Sequence, residues 1–236
     1  GSISTPDGQT ILAAGLQVGF TSHSRANDTL ANKFDDSSLR GLDVFIGAVE
    51  SAEAGLYAGR AEHTGLIQSA RGNITIAGRE VNQLGILDSS TSVALNGRID
   101  LLAHYNTAIG NDPSSGGFFR VENSGIVTIG KGSLTRILPE TKSKETTNGT
   151  ELALRSQINV AGKAIHFEEG SIVLAPNALV NLSVGQWVRT DLVNPGATSS
   201  FEQSAGQIYL DKNALIDVSG SVGVEVPVSQ NIITVQ

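Results

Sequence analysis

The chain has 236 residues and a formal net charge of −7, and its 16 Lys and Arg form no cluster, which excludes nucleic acid as a partner. Without Cys it has no disulfide framework, thiolate metal site or cysteine nucleophile, and at 39% hydrophobic against 17% charged residues it is too apolar to stay unfolded. Twenty-seven Gly against six Pro, with only one Trp, three Tyr and seven Phe, predict many short strands between turns and an aliphatic core.

Taken in chain order, residues 23–40 are polar and lack strand alternation, so they read as an insertion. Repeats follow. GLIQS at 65–69 recurs as GILDS at 85–89, which matches Gly65, Leu66, Ile67 and Ser69 with Gly85, Ile86, Leu87 and Ser89 at a spacing of 20. NITIAGR at 73–79 aligns with SVALNGR at 92–98 at a spacing of 19, which places Arg98 on Arg79. Further on, SIVLAPNALVNLSVG at 171–185 aligns without gaps on QIYLDKNALIDVSGS at 207–221, an offset of 36. That alignment predicts that Ile172, Leu174, Val180, Leu182, Ile208, Leu210, Ile216 and Val218 all face the interior. A third copy starts at Val127, 45 residues before Ile172. Residues 104–122, 139–151 and 186–204 interrupt the repeats and read as further insertions. The chain closes on the strand-like Ile232, Ile233, Thr234, Val235 and Gln236 without a polar tail, which reads as part of a longer chain.

Each unit pairs apolar residues at i and i+2, and a Gly, Asn or Asp turns the chain between pairs. Such short strands cannot bury an apolar face alone. Stacking successive turns of chain ~4.8 Å apart buries a continuous column and satisfies the backbone, so the expected fold is a single all-β domain, a parallel β-helix. About eight to ten turns, a rod of ~40 to 50 Å, are expected. An antiparallel sandwich has similar strands but no reason for a repeated spacing.

The chemistry of the sequence is sparse. His23, His63, His104 and His166 lie far apart and outside metal spacings, and solvated side chains are expected for all four, with His166 pointing outward between Ile165 and Phe167. No nucleophile elbow, phosphate loop or dinucleotide fingerprint occurs; the adjacent acids are Asp35 with Asp36 and Glu168 with Glu169, and neighbours in a strand point to opposite faces, so Glu168 and Glu169 converge only if a corner falls between them. No catalytic residue, metal ligand or cofactor is therefore expected. The sequons at Asn27, Asn73, Asn148 and Asn181 fit chance in a chain rich in Asn, Ser and Thr, and Asn73 and Asn181 are expected at corners, stacking on an Asn of the next turn. No run reaches the ~18 to 20 apolar residues of a membrane span, so membrane insertion is not expected.

The stretch TGLIQSARGNITIAGREVNQLGILDSSTSVALNGRIDLLA at 64–103, together with VPVSQNIITVQ at 226–236, resembles the central region of large filamentous haemagglutinin-like exoproteins. The Asn-Pro-Asn-Gly and Asn-Pro-Asn-Leu motifs of that family's secretion domain are absent, so the resemblance is to the shaft. It implies a right-handed β-helix, secretion by the two-partner route through an outer-membrane transporter that reads a domain outside these residues, and a bacterial cell-surface location. The implied role is a structural and adhesive scaffold that attaches to a host or bacterial surface glycan or protein. A carbohydrate-binding or carbohydrate-active β-helix is the alternative. Trp187 and the adjacent Phe118 and Phe119, all inside insertions, are the candidate binding residues, because exposed aromatics stack on sugars and proteins.

Overall fold

The computed structural model describes residues 1–22, 40–49, 58–93, 95–112, 116–120, 124–142, 155–184, 186–189, 199–202 and 206–220. Among the described residues there is no helix. Strand β1 (Ser2–Ser4) precedes five turns of a three-sided coil. The first turn carries β2 (Gln9–Ala13), β3 (Val18–Ser22), β4 (Leu42–Ile46), β5 (Arg60–His63) and β6 (Leu66–Ser69). The second is β7 (Asn73–Gly78), β8 (Glu80–Gln83) and β9 (Ile86–Thr91). The third holds β10 (Arg98–Ala103), β11 (Ala108–Asp112), β12 (Gly116–Arg120), β13 (Ile126–Ile129) and β14 (Leu134–Pro139). The fourth is β15 (Gln157–Ala161), β16 (Ala164–Phe167) and β17 (Ile172–Leu174). The fifth has β18 (Leu179–Ser183), β19 (Gln186–Arg189), β20 (Ser199–Glu202), β21 (Gln207–Leu210) and β22 (Leu215–Asp217).

Pairing within the coil is parallel throughout. The first face stacks β1-β6-β9-β14-β17-β22, the second β2-β7-β10-β15-β18, and the third β5-β8-β13-β16-β21. This is a parallel β-helix, as the repeats predict, but with five full turns it spans only about 24 Å at ~4.8 Å per turn. The expected eight to ten turns are not reached because three of the five turns carry an extra antiparallel hairpin. Those hairpins are β3 with β4, β11 with β12, and β19 with β20.

Alternate residues of the coil strands face the interior, where Ile74, Ile99 and Ile158, or Val127 and Ile165, stack one above another at 0% exposure. Toward the β1 end the interior turns polar. Thr5 Oγ1 and Thr10 Oγ1 lie 2.7 Å apart, Ser89 Oγ donates to Ser69 O and Gly72 O at 2.9 Å, and His63 Nδ1 meets Gln83 Oε1 at 2.9 Å. The Ser89 hydroxyl is thus spent on the neighbouring turn, which offsets the cost of burying it, whereas the buried Ser133 and Ser171 hydroxyls have no such partner. The corners are tight. A Cβ on Gly125 would stand 2.0 Å from Arg79 O in the turn beside it, so the stacking distance itself requires glycine there.

The spacing of 20 is correct: Leu66 pairs with Ile86, Ile67 with Leu87 and Ser69 with Ser89. The other three are corrected. Ile74 pairs with Ile99, a spacing of 25 rather than 19, so Arg98 lies opposite Asn73 and not Arg79. Val127 pairs with Ile165, 38 residues on, and Ile165 pairs with Ile208, 43 residues on, in place of 45 and 36. Both errors are slips of seven residues, from a strand of the third face to the next strand of the first, each of which opens with its own aliphatic pair.

The slip decides the predicted core. Val173, between Ile172 and Leu174, is 2% exposed and in the core, so Ile172 and Leu174 point outward. Val180, Leu182 and Ile216 do face inward and pack against the core. Ile208 and Leu210 continue the inward columns of Ile165 and Phe167, yet they are 39% and 54% exposed because theirs is the last described strand of the third face. Val218, one residue past β22, is 43% exposed.

Candidate functional site

Every hairpin leaves from the corner between the second and third faces, on the first, third and fifth turns. The second and fourth turns pass the same corner in one and two residues.

The first hairpin folds back over the second face and builds a second core there. Val44, Ile46 and Val49 are 0–1% exposed and pack with Ala77, against Ile11, Ala13 and Leu102. Its edges are fastened by side chains of both the coil and the hairpin. Gln9 donates Nε2 to Leu42 O at 2.9 Å and accepts from Leu42 N at 2.7 Å, while Arg40 donates to Arg71 O and Asn96 O. Beneath it Arg98 forms a 2.9 Å ion pair with Asp100, and both are nearly buried. The stem of the second hairpin joins this layer, since Asn106 N donates to Gly47 O at 2.9 Å and Thr107 N to Ile46 O at 3.0 Å. The insertions of the first and third turns are therefore hydrogen-bonded to each other at the stem, while their hairpins remain two separate two-stranded sheets.

His104 lies in that seam, with Nε2 3.3 Å from Val44 O, and burial pushes its imidazole below the ordinary histidine range. Its exposure of only 4%, and that of His63 at 7%, correct the expectation of solvated side chains. His166 does point outward, with Nε2 3.0 Å from Asp211 Oδ2. His23 lies outside the described residues. Asn181 is in the middle of β18 and not at a corner, but it does stack, donating Nδ2 to Asn159 Oδ1 at 2.9 Å, and Asn159 in turn donates to Asp100 at 2.8 Å. Asn73 starts β7 and holds Arg40 O at 2.9 Å.

The outer side of the first face is different. One row stacks Leu66, Ile86, Leu134, Ile172 and Leu215 in register, partly exposed along its length and 40% and 48% exposed at Ile86 and Leu215. Two residues along each strand runs a second row, Ser4, Gln68, Asp88, Arg136, Leu174 and Asp217. Arg136 holds Asp88 bidentately at 2.8 and 2.9 Å, and Arg71 bridges Asp7 at 2.7 Å and Glu140 at 2.9 Å. A cleft of about 220 Å³ opens beside them, lined by Gln68, Asp88, Ser90 and Glu140. Both carboxylates of the cleft are engaged by guanidinium groups, so what it offers is hydrogen bonding. Among the described residues, no group of three or more His, Asp or Glu side chains is placed to hold a metal ion.

Trp187 and Phe118 with Phe119 fall in β19 and β12, so the structure brings none of them to the first face. By register Trp187 stands opposite Phe201 and Phe119 opposite Ile109. The aliphatic row is what sequence reasoning missed. Its signal was the pair Leu66 and Ile86, matched at a spacing of 20 but assigned no face. Comparison of the chain with protein-family models, with curated proteins and with solved structures finds no match.

Proposed function

We propose that this chain is a shaft segment of an extracellular filament-like protein, a β-helical scaffold that displays hairpins for attachment to cells or matrix. The carrying observation is the regular exit of three hairpins from one corner on alternate turns. A coil whose interior columns fix every turn tolerates such insertions, because loop closure costs little and surface segments escape the packing constraint. Export through an outer-membrane transporter and a bacterial surface location follow from the resemblance to filamentous haemagglutinin-like exoproteins and belong to the same proposal. The ligand is a surface glycan or protein, and the third hairpin, with Trp187, is the first place to look for contact. The alternative, a carbohydrate-binding β-helix, would use the cleft lined by Gln68, Asp88, Ser90 and Glu140.

The test is binding of the purified chain to a glycan array and to whole cells, alongside a variant with 188–202 replaced by a short Gly-Ser bridge. Display by the hairpin predicts binding that falls in the variant while its melting temperature stays within a few degrees. Binding that survives this deletion but is lost in Glu140→Ala favours the cleft, and no binding by either protein counts against adhesion.

A further inference from the structure

We propose that the outer side of the first face is a self-association surface on which a second copy of this chain packs face to face, its rod antiparallel to the first. The inference is independent of whether the hairpins bind a ligand. Five stacked aliphatic side chains, Leu66, Ile86, Leu134, Ile172 and Leu215, form a straight ridge at ~4.8 Å spacing. Parallel strands with matched side chains in register are the geometry in which two sheet faces close a dry seam. The second face supplies the precedent within the molecule: its aliphatic outer residues are covered by a β layer.

Charge order selects the occupant and its direction. A two-fold axis lying along the strands, between β9 and β14, turns the six-stranded face onto itself. It sets Ile86 over the partner's Leu134, and Leu66 over the partner's Ile172. In the neighbouring row it sets Asp88 opposite the partner's Arg136, and Arg136 opposite the partner's Asp88, so four charges alternate in sign around the axis. Parallel rods would place like residues of the row at the same level and lose that match. The shared face measures roughly 24 Å by 13 Å, about 300 Å² on each partner. That is well below the ~800 Å² of a standard interface, so two isolated segments associate weakly, at roughly 0.1 to 1 mM.

Sedimentation velocity from ~10 μM to ~1 mM tests this on the whole chain, with melting curves to check that each variant is folded. The wild type should shift toward dimer mass with concentration, and Ile86→Asp should stay monomeric. Asp88→Arg and Arg136→Asp should each be monomeric alone, whereas their equimolar mixture should recover the wild-type curve, because only the mixed pair restores opposite charges across the axis. A wild type monomeric at every concentration, an Ile86→Asp variant that associates equally, or a mixture that stays monomeric overturns the proposal. So does Ile86-dependent binding to phosphatidylcholine vesicles without self-association, which would place a lipid surface on the ridge.

Discussion

The outer sides of the first and second faces begin from similar chemistry and end differently. Both carry aliphatic residues in register, yet Ile11, Ala13, Ala77 and Leu102 on the second face lie under the first hairpin, while the ridge from Leu66 to Leu215 has no cover among the described residues. Size accounts for part of this. Ala13 and Ala77 are small enough for a β layer to approach closely, whereas Leu and Ile on every strand of the ridge hold a neighbour further off. Edge chemistry accounts for the rest, since Gln9, Asn73 and Arg40 supply hydrogen bonds that finish the border of the second layer. An apolar strip beside a sheet is thus closed by its own chain only where polar partners at the rim complete the backbone of the covering layer.

The sharpest break in this comparison is one charge on either side. Ile46→Asp places a carboxylate in the fully buried second core and should cost several kcal/mol, enough to undock the hairpin, while Ile86→Asp on the ridge should cost less than ~1 kcal/mol. Denaturant melts of the two variants measure the contrast, and equal losses would mean that the ridge is covered after all. Next in size, Arg98→Ala strips the buried Asp100 of its ion pair and should cost about 3 to 5 kcal/mol, whereas Arg136→Ala, which breaks the more exposed Asp88 pair, should cost ~1 kcal/mol or less. Gln9→Ala removes both bonds to Leu42 and should cost roughly 1 to 2 kcal/mol, read as faster hydrogen exchange in β4 with the coil strands unaffected.

Architecture was legible because burial writes a period into the sequence: only a coil repeats Leu66, Ile67 and Ser69 as Ile86, Leu87 and Ser89. Face assignment was not legible where two faces look alike. The third-face pair Ile165 and Phe167 is followed seven residues later by Ile172 and Leu174 on the first face, and alternation alone cannot tell an inward pair from an outward one. Ile172 of the outward ridge, and Leu174 beside it, were read as core for that reason. The hairpins were visible only as gaps in the pattern, and the gap at 23–40 was drawn too short, since β3 and β4 on either side of it also leave the coil. Antiparallel arms have the same alternation as coil strands, so composition gives no sign of the departure. Buried His104 was missed because its cover, Val44 and Phe45, lies about 60 residues away in sequence.

The smallest predicted effect concerns pH and the seam between the first two hairpins. Burial under Val44 holds the His104 imidazole below its ordinary value, so the unfolded chain takes up a proton at a higher pH than the folded one. Above about 6.5 the residue is neutral in both states and adds no pH dependence; below it the unfolded state binds more protons, and stability falls as the pH is lowered. The loss should be local, because His104 touches the hairpin layer and precedes Asn106 and Thr107, whose amides bond to Gly47 and Ile46. Hydrogen exchange at those two amides, corrected for intrinsic rates, should therefore lose more protection between pH 7 and pH 5.5 than exchange in β15. His104→Gln keeps a donor for Val44 O without a titrating group and should abolish that difference. If the pH dependence persists in the glutamine variant, another group in the seam carries the charge, and the pH response of the second layer does not come from His104.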